Sequence, residues 1–156
     1  MRYFEDFHVG DTFELGQVTV TEEDILTFAR QFDPQPFHVD REKAKNSYFG
    51  ELVASGWHTT SLFMRLFVDG LLNESASLAS PGVDKVRWPR PVCPGDTLSA
   101  RFTVIESTPS RSRATLGIIR SNCELFNQQN ELVFTLEGIH FLGRKPAELN
   151  NTAEKE

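Results

Sequence analysis

The sequence has little of several features that would assign it to a particular class of protein. It contains two cysteines, Cys93 and Cys123, with no CxxC or Cys/His metal spacing around them. Two cysteines are too few for a disulfide framework, so we expect a reducing, cytoplasmic location. Basic residues are scattered and the net charge is −6, which argues against a nucleic-acid partner.

Targeting and membrane segments are also missing from the sequence. The first six residues, MRYFED, are acidic and lack an apolar signal core, so no export signal is expected. No apolar run approaches the roughly 20 residues of a membrane span. The 156 residues are 39% hydrophobic, which predicts one domain over residues 1–143 with a real core. We expect the polar tail, residues 144–156, to be flexible.

What the sequence does contain is a clear order of elements. A strand over residues 13–20, interrupted by Gly16, precedes a helix that Thr21 caps at its N-terminus. A long apolar helix over residues 57–72 follows, with Ser61, Arg65 and Asp69 as its one narrow polar stripe, so it is predicted to be wrapped on most sides. Residues 73–82 are predicted to be a flexible connection. Four strands complete the chain, at residues 83–88, 98–105, 114–126 and 132–142.

This order predicts an α+β hotdog fold, in which a curled antiparallel sheet wraps around the long apolar helix. A single such sheet leaves one edge and one face uncovered. We therefore expect a homodimer or a higher homo-oligomer. The sequence also has 13 phenylalanines against two tyrosines and two tryptophans. Core filling explains most of them, and the remainder are predicted to line an apolar ligand cleft.

Polar groups cluster where the first helix ends. Asp33, Gln35 and His38 place a carboxylate, an amide and an imidazole within six positions. Pro34 and Pro36 fix their own φ and push the preceding residues towards extended backbone, so this segment is predicted to be a stiff loop. We predict that it faces a second segment, residues 54–58, at the start of the apolar helix, with an apolar pocket over both.

Each of these residues also has a structural interpretation. Asp33 alone would be an Asx-turn or helix-terminal residue, and His38 alone a satisfied structural histidine. Their combination with Gln35 and a glycine at position 56 favours catalysis. His38 and Asp40 lack a third ligand at a sensible spacing, so no metal is expected, and Asp40 is predicted to cap the turn at residues 41–44.

The sequence resembles the MaoC-like hydratase/dehydratase family over about residues 3–142. Six landmarks occur in order: FED with VGD at 4–11, VTEEDI at 20–25, FA at 28–29, DPQPFHVD at 33–40, FGELVASG at 49–56 and RPVCPGD at 90–96. The resemblance implies reversible, (R)-specific hydration of trans-2-enoyl-CoA to 3-hydroxyacyl-CoA. The CoA is carried by the substrate, and no further cofactor is implied.

The resemblance also assigns site residues. The family's catalytic pair falls on Asp33 and His38, and its oxyanion-binding backbone N–H falls on Gly56. The family usually has Asn where this sequence has Gln35, whose amide reaches one methylene further. The predicted substrate contacts are Gln35, Phe37, Ser55, Trp57 and His58. For His58, a capping or packing role is the favoured alternative.

Two competing functions remain open. A hotdog thioesterase would carry a carboxylate on the central helix, but that helix offers only Arg65 and Asp69, far from its N-terminus. A non-catalytic acyl-CoA-binding subunit would be expected to lose Asp33 or His38, and both are present. The leading interpretation is a hydro-lyase acting on an acyl-CoA thioester, with no nucleic-acid or membrane partner.

Overall fold

The structure, a computed structural model, describes residues 1–147. A single-turn helix at Phe4–Asp6 precedes all other elements, and a second at Leu72–Glu74 follows the long helix. The strands are β1 (Thr12–Thr19), β2 (Ser77–Arg87), β3 (Thr97–Pro109), β4 (Leu116–Phe126) and β5 (Leu132–Gly143). The helices are α1 (Glu22–Phe32), α2 (Pro36–Val39), α3 (Arg41–Lys45) and α4 (Gly56–Gly70). Within residues 1–147, no helix combines the length and apolar character needed to cross a membrane.

The five strands form one antiparallel sheet in the order β1-β3-β4-β5-β2, and α4 packs on it. The ring of Phe63 on α4 lies 5.4 Å from that of Phe134 on β5, and the ring of Phe67 lies 5.1 Å from that of Phe102 on β3. Alternate residues of β3 and β4 are buried, as expected for strands with one face on a core. The predicted hotdog architecture is confirmed.

The strand β2 is longer than predicted. Residues 77–82 belong to it, so the prediction of a flexible connection over 73–82 is wrong for these residues. Their sequence, SLASPG, gave no strand pattern, but their backbone pairs with β5 through two register shifts. Pairing depends on backbone groups that every residue except proline carries in full, so composition alone misjudged this segment. β2 is an edge strand, and all but one of its residues are exposed.

The helix α4 is less enclosed than predicted. Its stripe of Ser61, Arg65 and Asp69 is exposed, as expected, but Trp57 and Met64 are also 58% and 48% exposed. The helix therefore presents a face that includes apolar side chains. A second copy of the chain would cover such a face, so the predicted oligomer remains a prediction.

The helix α1 is built as the sequence predicts. Thr21 accepts a hydrogen bond from the Asp24 N–H, and the Asp24 side chain accepts one from the Thr21 N–H, which is a capping box. The helix ends at Phe32 because Asp33 has φ −149° and Pro34 follows it. α1 thus delivers the chain directly into the polar segment.

The polar segment is not a loop throughout. Gln35 is extended, as predicted, with φ −67° and ψ 145°. Pro36 then begins the one-turn helix α2, because its fixed φ suits a first helical position, so His38 stands on a helical turn. The predicted cap at Asp40 is confirmed, since its carboxylate accepts from the N–H groups of Glu42 and Lys43.

The start of the C-terminal tail is tied to the N-terminus. Arg144 Nε donates to Glu5 Oε1 at 2.9 Å, and Lys145 Nζ donates to Asp6 Oδ1 at 2.6 Å. Residues 148–156 lie outside the described part of the chain. The predicted flexibility of the tail therefore stays a prediction.

Candidate active site

The two segments singled out in the sequence meet at one carboxylate. Ser55, the residue that caps α4, donates from Oγ to Asp33 Oδ2 at 2.7 Å. Gln35 donates from Nε2 to Asp33 Oδ1 at 2.8 Å. Each oxygen of Asp33 thus accepts a hydrogen bond from a neutral donor, which fixes the orientation of the carboxylate between α1 and α4.

His38 lies beside this carboxylate with a defined tautomer. Its Nδ1 is 2.7 Å from the carbonyl oxygen of Val53, and because a carbonyl can only accept, Nδ1 carries the hydrogen. Its Nε2 lies 3.4 Å from Asp33 Oδ2, and the side chain is 7% exposed. In the neutral imidazole, Nε2 therefore carries a lone pair and can accept a hydrogen bond on the side of the ring that faces Asp33.

The environment of Asp33 favours its ionised form. Partial burial acts to raise the pKa of this carboxyl, but hydrogen bonds from Ser55 and Gln35 and the charge of His38 together outweigh burial. Its pKa lies below the ordinary value for aspartate. Asp33 is consequently an anion at neutral pH, and an anion can accept a proton from a bound water.

Gly56 opens α4 next to this pair. Among residues 1–147, its N–H has no hydrogen-bond partner, and it stands at the positive end of a 15-residue helix. The indole of Trp88 lies directly over it, and a Cβ at position 56 would come within 2.6 Å of that ring. Only glycine fits beneath this ring.

These groups line a cavity of ≈ 690 Å³, a volume typical of small-molecule sites. Its lining includes six of the eight predicted site residues: Asp33, Gln35, Phe37, His38, Gly56 and Trp57. Ser55 lies behind Asp33 as its hydrogen-bond donor and is fully buried. The eighth residue, His58, is not part of the lining.

His58 packs against α1 instead. It is buried, and its ring stacks on that of Phe28 at 4.9 Å with an angle of 10°. Its Nδ1 has no hydrogen-bond partner among residues 1–147. Burial lowers the pKa of His58, against the opposing charge of Asp24. This placement favours the packing role given above as the alternative.

Sequence reasoning missed the aromatic residues that complete the cavity. Trp88 covers Gly56, Phe49 packs against Phe37 at 5.3 Å, and Tyr48 is also part of the lining. Trp88 directly follows β2 and precedes Pro89. The proline beside it was the only sequence signal at this position. Nothing in the local pattern placed it over residue 56, because the two meet only in the folded chain.

Metal-binding groups are not assembled in this structure. Within residues 1–147, no three or more His, Cys, Asp or Glu side chains are arranged to hold a metal ion. The titratable side chains Asp33 and His38 lie 3.4 Å apart, and a carboxylate and an imidazole are both groups that can accept and donate protons.

Comparison with known proteins gives one consistent family. The family model described as MaoC like domain matches residues 6–121. A solved MaoC-like dehydratase from Rhodospirillum rubrum superposes with a TM-score of 0.88 at 40% identity, covering 94% of this chain and 99% of that one.

Two relatives carry enzyme names. The 3-hydroxybutyryl-CoA dehydratase of Methylorubrum extorquens is 30% identical over 116 residues, which are 74% of this chain and 71% of the relative. The (R)-specific enoyl-CoA hydratase of Rhodospirillum rubrum is 29% identical over 128 residues, 79% of this chain and 81% of the relative.

Proposed function

The chain belongs to the MaoC-like domain family, and on that premise we propose that it hydrates trans-2-enoyl-CoA to (R)-3-hydroxyacyl-CoA, or runs the reverse dehydration. The observation that carries the proposal is one cavity holding an ionised carboxylate, an adjacent imidazole and an open backbone N–H. The relatives named as a hydratase and a dehydratase act in the two directions of this reaction.

In the proposed reaction, a water molecule binds to Asp33 and to Nε2 of His38. Asp33 accepts a proton from this water as its oxygen adds to C3 of the enoyl thioester. His38 orients the water, because its Nδ1–H is held by the carbonyl of Val53 and its Nε2 is left free to accept. A proton then adds to Cα and Asp33 returns to its ionised form, so that OH and H from one water molecule are added across the double bond.

The electrons displaced from the double bond collect on the thioester oxygen. Gly56 is the donor we assign to that oxygen, since its N–H opens α4 and has no partner within the described chain. The helix N-terminus stabilises the developing negative charge, and glycine adds no side chain of its own beside the N–H. Trp57 and Phe37 supply apolar cavity wall beside the reacting atoms.

The experiment that tests this proposal follows the absorbance of the enoyl thioester in crotonyl-CoA. Hydration bleaches the absorbance, and the product's configuration is read with an (R)-specific 3-hydroxyacyl-CoA dehydrogenase. We expect D33N to lower kcat/KM by about 10²–10⁴-fold, because the proton acceptor becomes neutral. D69N is the matched control, since Asp69 is an exposed carboxylate on α4 paired with Arg65 at 2.6 Å.

Other outcomes identify the alternatives. Release of free thiol would identify a thioesterase, which the structure disfavours because Arg65 and Asp69 pair with each other at the surface. Binding without any turnover would identify a non-catalytic acyl-CoA-binding subunit. A folded D33N protein with the wild-type rate would contradict the role of Asp33.

The remaining assignments are part of the same proposal. We propose no cofactor beyond the CoA of the substrate, and a homodimer or higher homo-oligomer, supported by the exposed edge strand β2 and the apolar part of the α4 face. A cytoplasmic location is supported by Cys93 and Cys123, both of which are free thiols.

A further inference from the structure

A second cavity lies next to the catalytic one. It has a volume of ≈ 500 Å³ and lies between α4 and the strands β2, β4 and β5. Apolar side chains make up much of its lining, among them Phe63, Met64, Phe67 and Leu136. Nothing in the proposed hydration step uses this space.

One residue is shared by the linings of the two cavities. Among residues 1–147, only Trp57 contributes to the lining of both. It stands on the first turn of α4, one position after Gly56, so it lies beside the proposed thioester site. A chain that leaves that site along α4 therefore meets the indole of Trp57 before it reaches the second cavity.

Trp57 is supported by a residue that is itself fixed. Trp88 packs edge-on against Trp57, with ring centroids 5.3 Å apart at 76°. Trp88 Nε1 donates to Thr60 Oγ1 at 3.1 Å, and Thr60 in turn donates to the carbonyl of Gly56 at 2.9 Å. Trp88 is thus anchored by a hydrogen bond, whereas Trp57 is 58% exposed and has room to change rotamer.

We propose that Trp57 determines which acyl chains this site accepts. This inference rests on the proposed function, because it takes the occupant of the catalytic cavity to be an acyl thioester. A short chain fits in the catalytic cavity with Trp57 in place. A longer straight chain enters the second cavity only when the indole is displaced or removed. The second cavity suits methylene groups because of its apolar lining.

The test measures affinity against chain length with saturated acyl-CoA thioesters, from butanoyl-CoA to dodecanoyl-CoA. These compounds lack the double bond, so binding is read by calorimetry without turnover. In the wild type, we expect the gain in affinity to stop once the chain reaches Trp57. In W57A, we expect it to continue at about fourfold per added methylene. W57F keeps part of the wall and is expected to fall between them.

Met64 provides the matched control. It is 48% exposed on the same helix and lines the second cavity but not the catalytic one, so M64A enlarges the second cavity without opening the wall. We expect M64A to retain the wild-type dependence on chain length. The ratio of kcat/KM for dodecenoyl-CoA to that for crotonyl-CoA should rise in W57A and stay unchanged in M64A.

Each failure has its own signature. If W57A and wild type share one chain-length profile, or if M64A changes as W57A does, the inference is overturned. If no enoyl thioester is hydrated but W57A extends the binding profile, the proposed function fails while the role of Trp57 stands. Thermal melting of each variant verifies that it is folded.

Discussion

Two imidazoles of this molecule lie in opposite electrostatic surroundings. His38 donates from Nδ1 to the carbonyl of Val53 and places Nε2 3.4 Å from the carboxylate of Asp33. His140, on β5, has Nε2 2.8 Å from Ser121 Oγ, and no carboxylate is among the contacts found for it in the described chain. One ring lies beside a carboxylate, and the other, which is half-buried, lies beside a hydroxyl.

The packing around His140 explains why its pKa is lowered. Its ring lies 5.3 Å from that of Phe67 and 5.3 Å from that of Phe102. Burial lowers the pKa of His140 to about 4, because nothing nearby compensates the cost of a buried cation. The difference between the two rings is one of partners: His140 is held by packing and a hydroxyl, whereas His38 lies beside a carboxylate that lines the same cavity.

The largest expected effect separates the two imidazoles by activity. We expect H38A to lower kcat/KM for crotonyl-CoA by about 10²–10⁴-fold, because the water loses its second anchor. H140Q is the matched control, since it removes an imidazole outside the catalytic cavity and should leave this rate nearly unchanged. Equal losses in both variants, with both proteins folded, would contradict the assignment of the site.

The second prediction concerns the contribution of His140 to the pH dependence of the free energy of unfolding. Because the folded-state pKa of His140 lies below its unfolded value, its contribution to stability is present above pH 6.5 and is lost as pH falls towards about 4. The expected loss in free energy of unfolding over that range is about 3 kcal/mol. H140Q should lack this part of the pH dependence.

Urea unfolding at neutral and acidic pH measures this difference. Carboxylates and the buried His58 titrate in both proteins, so subtracting the H140Q curve from the wild-type curve isolates His140. Parallel curves over the whole range would show that His140 is not held neutral in the core.

Much of the fold follows from sequence patterns that act locally. The capping box at Thr21, the proline after Asp33 and the alternation in β3 each fix an element through neighbouring residues. The start of β2 could not be found this way, since residues 77–82 (SLASPG) give no strand pattern and pair with residues of β5 that lie 57 or more positions further along the chain.

In the candidate site, too, contacts between residues close in sequence could be predicted and contacts between distant residues could not. Asp33, Gln35 and His38 are close in sequence, so their spacing predicted a polar cluster. The hydrogen bond from Ser55 joins residues 22 positions apart, and Trp88 meets Gly56 across 32 positions, so both contacts depend on the folded chain. The position of His58 was open because a residue on the first turn of a helix can face either side.

The third prediction concerns the donor behind Asp33. S55A removes the hydrogen bond to Oδ2, so the pKa of Asp33 should rise and the acid limb of the kcat/KM profile should move to higher pH. We expect a loss of about tenfold in kcat/KM at neutral pH, since a hydrogen bond to a charged group contributes about 1.5 kcal/mol or more.

Thr21 provides the matched control for this variant. Ser55 also caps α4, so S55A loses a helix cap as well as the contact with Asp33. T21A loses the comparable cap of α1, where the side chain accepts from Asp24 N–H, without touching Asp33. Both variants should lose about 1 kcal/mol of stability. Only S55A should shift the acid limb, and a shift in T21A as well would contradict the role of Ser55.

The smallest expected effect concerns Gln35, where the family resemblance predicts Asn. Its amide donates to Asp33 Oδ1 at 2.8 Å from an exposed position, so Q35A should lower kcat/KM by only about threefold. Q35N should behave like Q35A, because its amide is one methylene too short to reach the same oxygen. Q35E should move the acid limb furthest, since a second carboxylate beside Asp33 raises its pKa. If Q35N instead matches the wild type, the backbone at position 35 adapts to the shorter amide, and the contact with Asp33 does not require glutamine.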